Sequence, residues 1–129
     1  MSVMRHSEDH FTLITAAAAQ WHDFEILSRS LTQGLSLIDI TTEYGTLIVT
    51  GPKSRDLFHS LNTEADLETN WLTHQKAKIN DIECSLVRVS FAGELGWEIH
   101  ALNKNIAALY EFSIAAGAKP FGMWALNSV

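Results

Sequence analysis

Cysteine and proline are almost missing from these 129 residues, with Cys84, Pro52 and Pro120 the only examples. One cysteine excludes an internal disulfide, and no Cys/His spacing suits a metal. Cys84 therefore reads as a small core residue of a reducing compartment. Positive charge is also scarce: nine Lys and Arg face fifteen Asp and Glu, giving a net charge of −6. The cations are scattered between Arg5 and Lys119. Without a basic cluster the chain has no footprint for nucleic acid and no grip on an anionic membrane. No stretch approaches the roughly 20 apolar residues of a membrane span. The opening MSVMRHSEDHF carries acids and has no apolar core, so neither a signal peptide nor a typical transit peptide is expected there. These absences predict a soluble, cytoplasmic protein without nucleic-acid, membrane or metal partners.

What is present is ordinary globular material, 47% hydrophobic and 19% charged. The length suits one domain burying about two-thirds of its unfolded surface. Phe11 to Ala17 reads as a buried strand. Trp21, Phe24, Leu27 and Leu31 recur at helical spacing and predict a helix burying one face, stopped near Gly34. Leu35 to Thr41 and Thr46 to Thr50 are β-branched runs around Tyr44 and Gly45, the pattern of a hairpin. Thr50-Gly51-Pro52 opens a helix with proline at its first position and Leu57, Phe58 and Leu61 on its apolar face. Trp71 to Ile79 and Ile82 to Phe91 predict strands around the turn pair Asn80-Asp81. After a turn at residues 93–96 comes a strand from Trp97 to Leu102. Asn103 then caps a helix through Ile114, with Gly117 beyond its end.

Strands and helices do not alternate strictly. The expectation is an α+β fold, a mostly antiparallel sheet with packed helices, as one domain over residues 1–129. The last segment runs helically from Pro120 into Val129 with about two turns, short for an isolated helix. Its apolar Met123, Trp124 and Leu126 need a surface to cover, so the chain reads as a fragment that could self-associate. The tryptophans read as core.

Chemistry concentrates in residues 87–100, VRVSFAGELGWEIH. Alternation puts Trp97 and Ile99 on one face of the strand and Glu98 and His100 on the other. Taken alone, Glu98 faces water, as most glutamates do. Arg88 could brace Glu94, though a surface arginine is commoner. His100 and His22 have no spacing for a metal or a catalytic triad.

This stretch resembles the R-x-S-Y-x-G-E-L-G-[YW]-E motif of the aminomethyltransferase folate-binding domain. That family includes the glycine cleavage T-protein and the C-terminal halves of dimethylglycine and sarcosine dehydrogenases. Further stretches are similar in order along the chain: VMRHSEDHFTLITAAAA, VTGPKSRDLFHSL, and AGAKPFGMWALNSV against G-x-x-x-x-G-[ML]-x-A-L-[ND]-S. The resemblance implies ferredoxin-like elements, tetrahydrofolate as cofactor, and a small N-methyl amine as substrate of the parent enzyme. Any FAD would belong to a separate domain outside this chain.

The resemblance also assigns Glu98 as the pterin anchor. A pterin presents a ring N–H beside an exocyclic amine, and a carboxylate accepts both. Phe91 stands where the family has Tyr; its ring could pack near the cofactor or simply be core. Leu13 and Thr15 match a folate-lining strand. The family's catalytic aspartate would align at or just before Met1, so no catalytic residue is assigned in this chain. The A-L-N-S form at residues 125–128 resembles the dehydrogenase branch rather than the A-R-D-S of glycine-cleavage members. The implied function is tetrahydrofolate-dependent one-carbon transfer within a dimethylglycine or sarcosine dehydrogenase-like protein. A piece of a stand-alone aminomethyltransferase and a non-catalytic folate-binding module are the alternatives.

Overall fold

In the computed structural model, residues 1–91, 93–126 and 128 are described, Met123 by its backbone only. Contacts divide the chain into two compact units, residues 1–40 and 41–129.

The first unit pairs β1 (Ser2–Arg5) with β2 (Phe11–Ile14) in antiparallel register, Ser2 opposite Ile14 and Arg5 opposite Phe11. His6 N donates to His10 O at 2.8 Å to close the turn. The expected strand stops at Ile14 rather than Ala17, because the alanines, the strongest helix formers, turn into a short 3₁₀ helix over Ala17–Ala19. Helix α1 spans Gln20–Ser30, as its periodicity predicts. Its apolar stripe is not buried as expected: Phe24 and Leu27 are half-buried, and Trp21 is 79% exposed. Forty residues enclose too little volume to cover a full helix face.

The second unit is built on a four-stranded sheet. Its strands are β3 (Tyr44–Thr50), β4 (His74–Ile79), β5 (Ile82–Val87) and β6 (Gly96–Leu102), in spatial order β3-β6-β5-β4 and antiparallel throughout. The β4–β5 turn is Asn80-Asp81, both at positive φ (45° and 66°), the backbone that a two-residue hairpin needs. The hairpin expected between residues 35–41 and β3 does not form. Residues 35–41 contain no strand, and Leu35 and Ile38 are exposed. β3 finds its hydrogen-bond partners on β6 instead, Tyr44 opposite Leu102 through Thr50 opposite Gly96. A β-branched run becomes a strand only where a partner satisfies its backbone groups.

Helix α2 (Ser54–Ser60) starts two residues after Pro52, which lies in the preceding turn rather than at the first helical position. The Ser54 hydroxyl donates to Gly51 O at 2.6 Å, and Gly51 itself sits at φ +117°. Helix α3 (Asn103–Ala115) is not capped by Asn103. The Asn103 side chain donates to Thr42 O at 2.6 Å, so it ties the incoming loop to the start of the helix. Gly117, at φ +101°, ends the helix as expected. The short α4 (Met123–Leu126) buries Leu126 but leaves Trp124 89% exposed; Asn127, Val129 and the Met123 side chain lie outside the described residues.

α2 and α3 lie on one face of this sheet. Phe58 and Leu109 join Ile79, Leu86, Trp97 and Ile99 in a single core cluster, each of these side chains no more than 1% exposed. Phe58 meets Trp97 edge-on, with ring centroids 5.3 Å apart. β3, α2, β5, β6 and α3 occur in that chain order, with the edge strand β4 inserted between α2 and β5. β6 lies antiparallel between β3 and β5, the split β-α-β arrangement of ferredoxin-like folds with one added strand. The α+β expectation therefore holds. The tryptophan expectation holds for Trp97 alone, since Trp71 is also exposed.

Phe58→Ala is expected to cost about 3–5 kcal/mol, read by urea denaturation, because it removes a fully buried ring from this cluster. Burial also pushes the Cys84 thiol up to about 11 from an ordinary 9.0. The folded chain then keeps a proton that the unfolded chain releases. The stability this group contributes is whole below its unfolded value and is lost as pH rises through the folded one. Cys84→Ala is expected to flatten the loss of stability across that alkaline window, measured as the difference between the two urea curves.

Candidate functional site

β6 is an inner strand, paired to β3 on one side and β5 on the other. Its pleat sends Trp97, Ile99 and Ala101 into the core, each no more than 1% exposed. Glu98 and His100 therefore project from the opposite face. Across that face Glu98 sits opposite Ile48 on β3 and Val87 on β5, and His100 opposite Thr46 and Ser85.

Glu98 is not the solvated strand carboxylate that its residue type alone suggests. Its side chain is 29% exposed, and Oε2 lies 2.8 Å from His100 Nε2. His100 is more enclosed, 12% exposed, and its Nδ1 lies 3.1 Å from Thr46 Oγ1. An ionised carboxylate only accepts, so the nitrogen facing it carries the proton, and in the neutral ring Nδ1 accepts from the Thr46 hydroxyl. The result is a line of carboxylate, imidazole and hydroxyl across two strands. Among the described residues Glu98 Oε1 has no hydrogen-bond partner. The Glu98/His100 pairing was available from their two-residue spacing. Thr46 could be found only from the β3–β6 register.

Arg88 does not brace Glu94. Its Nη1 donates to Gly96 O at 2.9 Å, and its guanidinium lies 4.5 Å from the centre of the Trp97 ring and 5.8 Å from that of Trp71. Arg88 Nε and Trp97 Nε1 are buried without an acceptor among the described residues, so stacking holds this pair more than hydrogen bonding does. The stack fixes the start of β6, one residue before Glu98.

Phe91, past the end of β5, is 69% exposed, so it is not core. Leu13 lies in β2 and Thr15 just after it, both half-buried, in the first unit. Glu98, Phe91, His100 and Thr46 belong to the second.

Two hollows mark the second unit. His100 lines one of about 600 Å³ together with Tyr44, Lys76 and Ser85. A larger groove of about 720 Å³ follows β3, with Ile48, Leu57, Tyr110, Ile114 and Phe121 on its walls. Glu98 lines neither, so volume alone would direct attention away from this carboxylate, which sits between Ile48 and Val87 across the sheet.

Comparison with known proteins gives concordant matches. The family model described as the GCVT N-terminal domain matches residues 1–129. Mitochondrial dimethylglycine dehydrogenase of Rattus norvegicus is 33% identical over 138 residues, covering 100% of this chain and 16% of that protein. Mitochondrial sarcosine dehydrogenase of Mus musculus is 30% identical over 115 residues, covering 85% of this chain and 12% of its own length. An aminomethyltransferase of Natranaerobius thermophilus is 28% identical over 128 residues, covering 95% of this chain and 35% of that enzyme. The chain thus spans a minor part of each of these relatives. Among solved structures, the heterotetrameric sarcosine oxidase of Corynebacterium sp. U-96, in complex with pyrrole 2-carboxylate, superposes with a TM-score of 0.72 at 19% identity, covering 93% of this chain and 63% of that one. At that identity the likeness speaks for the fold.

Arg88→Ala is expected to lower stability by about 2 kcal/mol, since it removes a charged hydrogen bond to Gly96 O and the stack on Trp97. Urea denaturation followed by tryptophan fluorescence measures the loss.

Proposed function

The chain belongs to the GCVT N-terminal domain family, and from that premise we propose that it carries the pterin-anchoring part of a tetrahydrofolate-dependent one-carbon transfer domain. The observation that supports this reading best is the state of Glu98. It is a largely covered carboxylate on the face of β6 away from the core, with one oxygen held by His100 and the other without a partner among the described residues. A pterin edge offers a ring N–H and an amine side by side. Glu98 Oε1 and the remaining lone pair of Oε2 can accept both.

When bound, tetrahydrofolate supplies N5 as the acceptor of the one-carbon unit. The contribution of this chain is positional. Glu98 holds the flat end of the cofactor, and a fixed placement lowers the entropy cost of bringing N5 to its electrophile. The exposed ring of Phe91 offers an apolar surface without a hydroxyl, which suits packing and not proton transfer. Leu13 and Thr15 are further proposed contacts. The proposed parent is a dimethylglycine or sarcosine dehydrogenase-like enzyme whose substrate is a small N-methyl amine, which fits the dehydrogenases among the relatives. A reducing compartment such as the cytoplasm suits the single free thiol of Cys84.

Calorimetric titration of the chain with 5-formyltetrahydrofolate tests the proposal. Glu98→Gln is expected to weaken binding about 10- to 100-fold, the equivalent of about 1.5–3 kcal/mol for hydrogen bonds to a charged acceptor. Equal affinities for the two proteins would remove Glu98 from the pterin site, and no binding by either would refute the reading for this chain.

A further inference from the structure

Glutamate is a demanding choice for a two-point acceptor, because its three side-chain torsions leave the carboxylate plane free to turn. Fixing such a side chain costs up to about 1.5–2 kcal/mol of rotamer entropy. An anchor that already points the right way avoids that cost when the ligand arrives. The structure contains a device of this kind.

His100 is two residues beyond Glu98 on the same face of β6, and its Nε2 lies 2.8 Å from Oε2. The ring is itself held at its far end, where Nδ1 lies 3.1 Å from Thr46 Oγ1 on the neighbouring strand. With a side chain only 12% exposed, the imidazole has little room to turn. Thr46 is directly opposite His100 in the β3–β6 register, so the length and pairing of the two strands fix the distance between them. A proton on Nε2 engages one lone pair of Oε2. It leaves Oε1 and the second lone pair of Oε2 facing away from the ring.

We propose that His100 is a positioning residue that orients the Glu98 carboxylate for its ligand, and that Thr46 locks the tautomer and angle of His100. The inference rests on the reading of Glu98 as pterin anchor. His100 acts through Glu98, so its effect on binding exists only while that carboxylate is present.

The test is a double-substitution cycle on the full chain, with 5-formyltetrahydrofolate as probe and fluorescence titration carried to millimolar ligand. His100→Phe keeps an aromatic ring without nitrogen and is expected to weaken binding about five- to tenfold, within the rotamer entropy of a glutamate left unfixed. His100→Gln, whose amide can place an N–H near the same point, is expected to recover most of that loss. In a Glu98→Ala background, His100→Phe is expected to produce no further change. Should His100→Phe fail to fold by circular dichroism, Thr46→Val at its exposed position carries the same cycle, with about a twofold loss that vanishes in the Glu98→Ala background.

Unchanged affinity in His100→Phe, or an equal loss with and without Glu98, overturns the positioning role while leaving the anchor intact. A Glu98→Ala chain that binds like wild type, or a wild-type chain that does not bind, overturns the anchor and this inference with it.

Discussion

The pleat of β6 is the constraint on which the rest of the second unit depends. A strand flanked on both sides has no freedom to rotate about its axis, so alternate residues are committed to opposite faces. Trp97, Ile99 and Ala101 fill the core beneath α2 and α3. That burial is what holds Glu98 and His100 on the other side. A slip of one residue would place a carboxylate among Phe58, Leu86 and Leu109 and expose the Trp97 ring. Such an exchange would cost far more than a marginally stable domain can absorb. The candidate site is therefore held in place by the hydrophobic core behind it.

The residues around Glu98 share that work. Gly96, which opens β6, admits close approach: a Cβ added there would meet Val49 O at 3.0 Å. Its carbonyl accepts from Arg88, whose guanidinium stacks on Trp97. The stretch GELGWEIH thus combines a tight backbone crossing, a braced aromatic in the core and two polar side chains facing the other way. Each feature uses a different residue type, which explains why the motif is dense.

Much of this was legible in the sequence, and what was not has physical causes. The helix over Gln20–Ser30, the Asn80-Asp81 turn and the two-faced strand ending at Leu102 come from local periodicity and turn chemistry, which act within a few residues. The resemblance in residues 87–100 singled out Glu98 for the same reason: its partners in the motif are its neighbours in the chain. Pairing between distant segments was hidden. Residues 35–41 carried the composition of a strand but no partner, while β3 took β6. The same long-range register brought Thr46 to His100, and the loop carbonyl of Thr42 drew Asn103 away from the helix cap. The exposed Trp21 shows the converse error. A helical stripe states what could be buried, and the volume of the unit around it decides what is.

If the outward face of β6 receives a pterin, its position is a matter of ångströms. The most direct measurement is a crystal structure of the chain with 5-formyltetrahydrofolate bound. The account predicts the pterin edge on Glu98, with a ring nitrogen and the exocyclic amine about 2.7–2.9 Å from the two carboxylate oxygens and His100 still on Oε2. A pterin bound in the groove along β3, with Glu98 still joined only to His100, would contradict it.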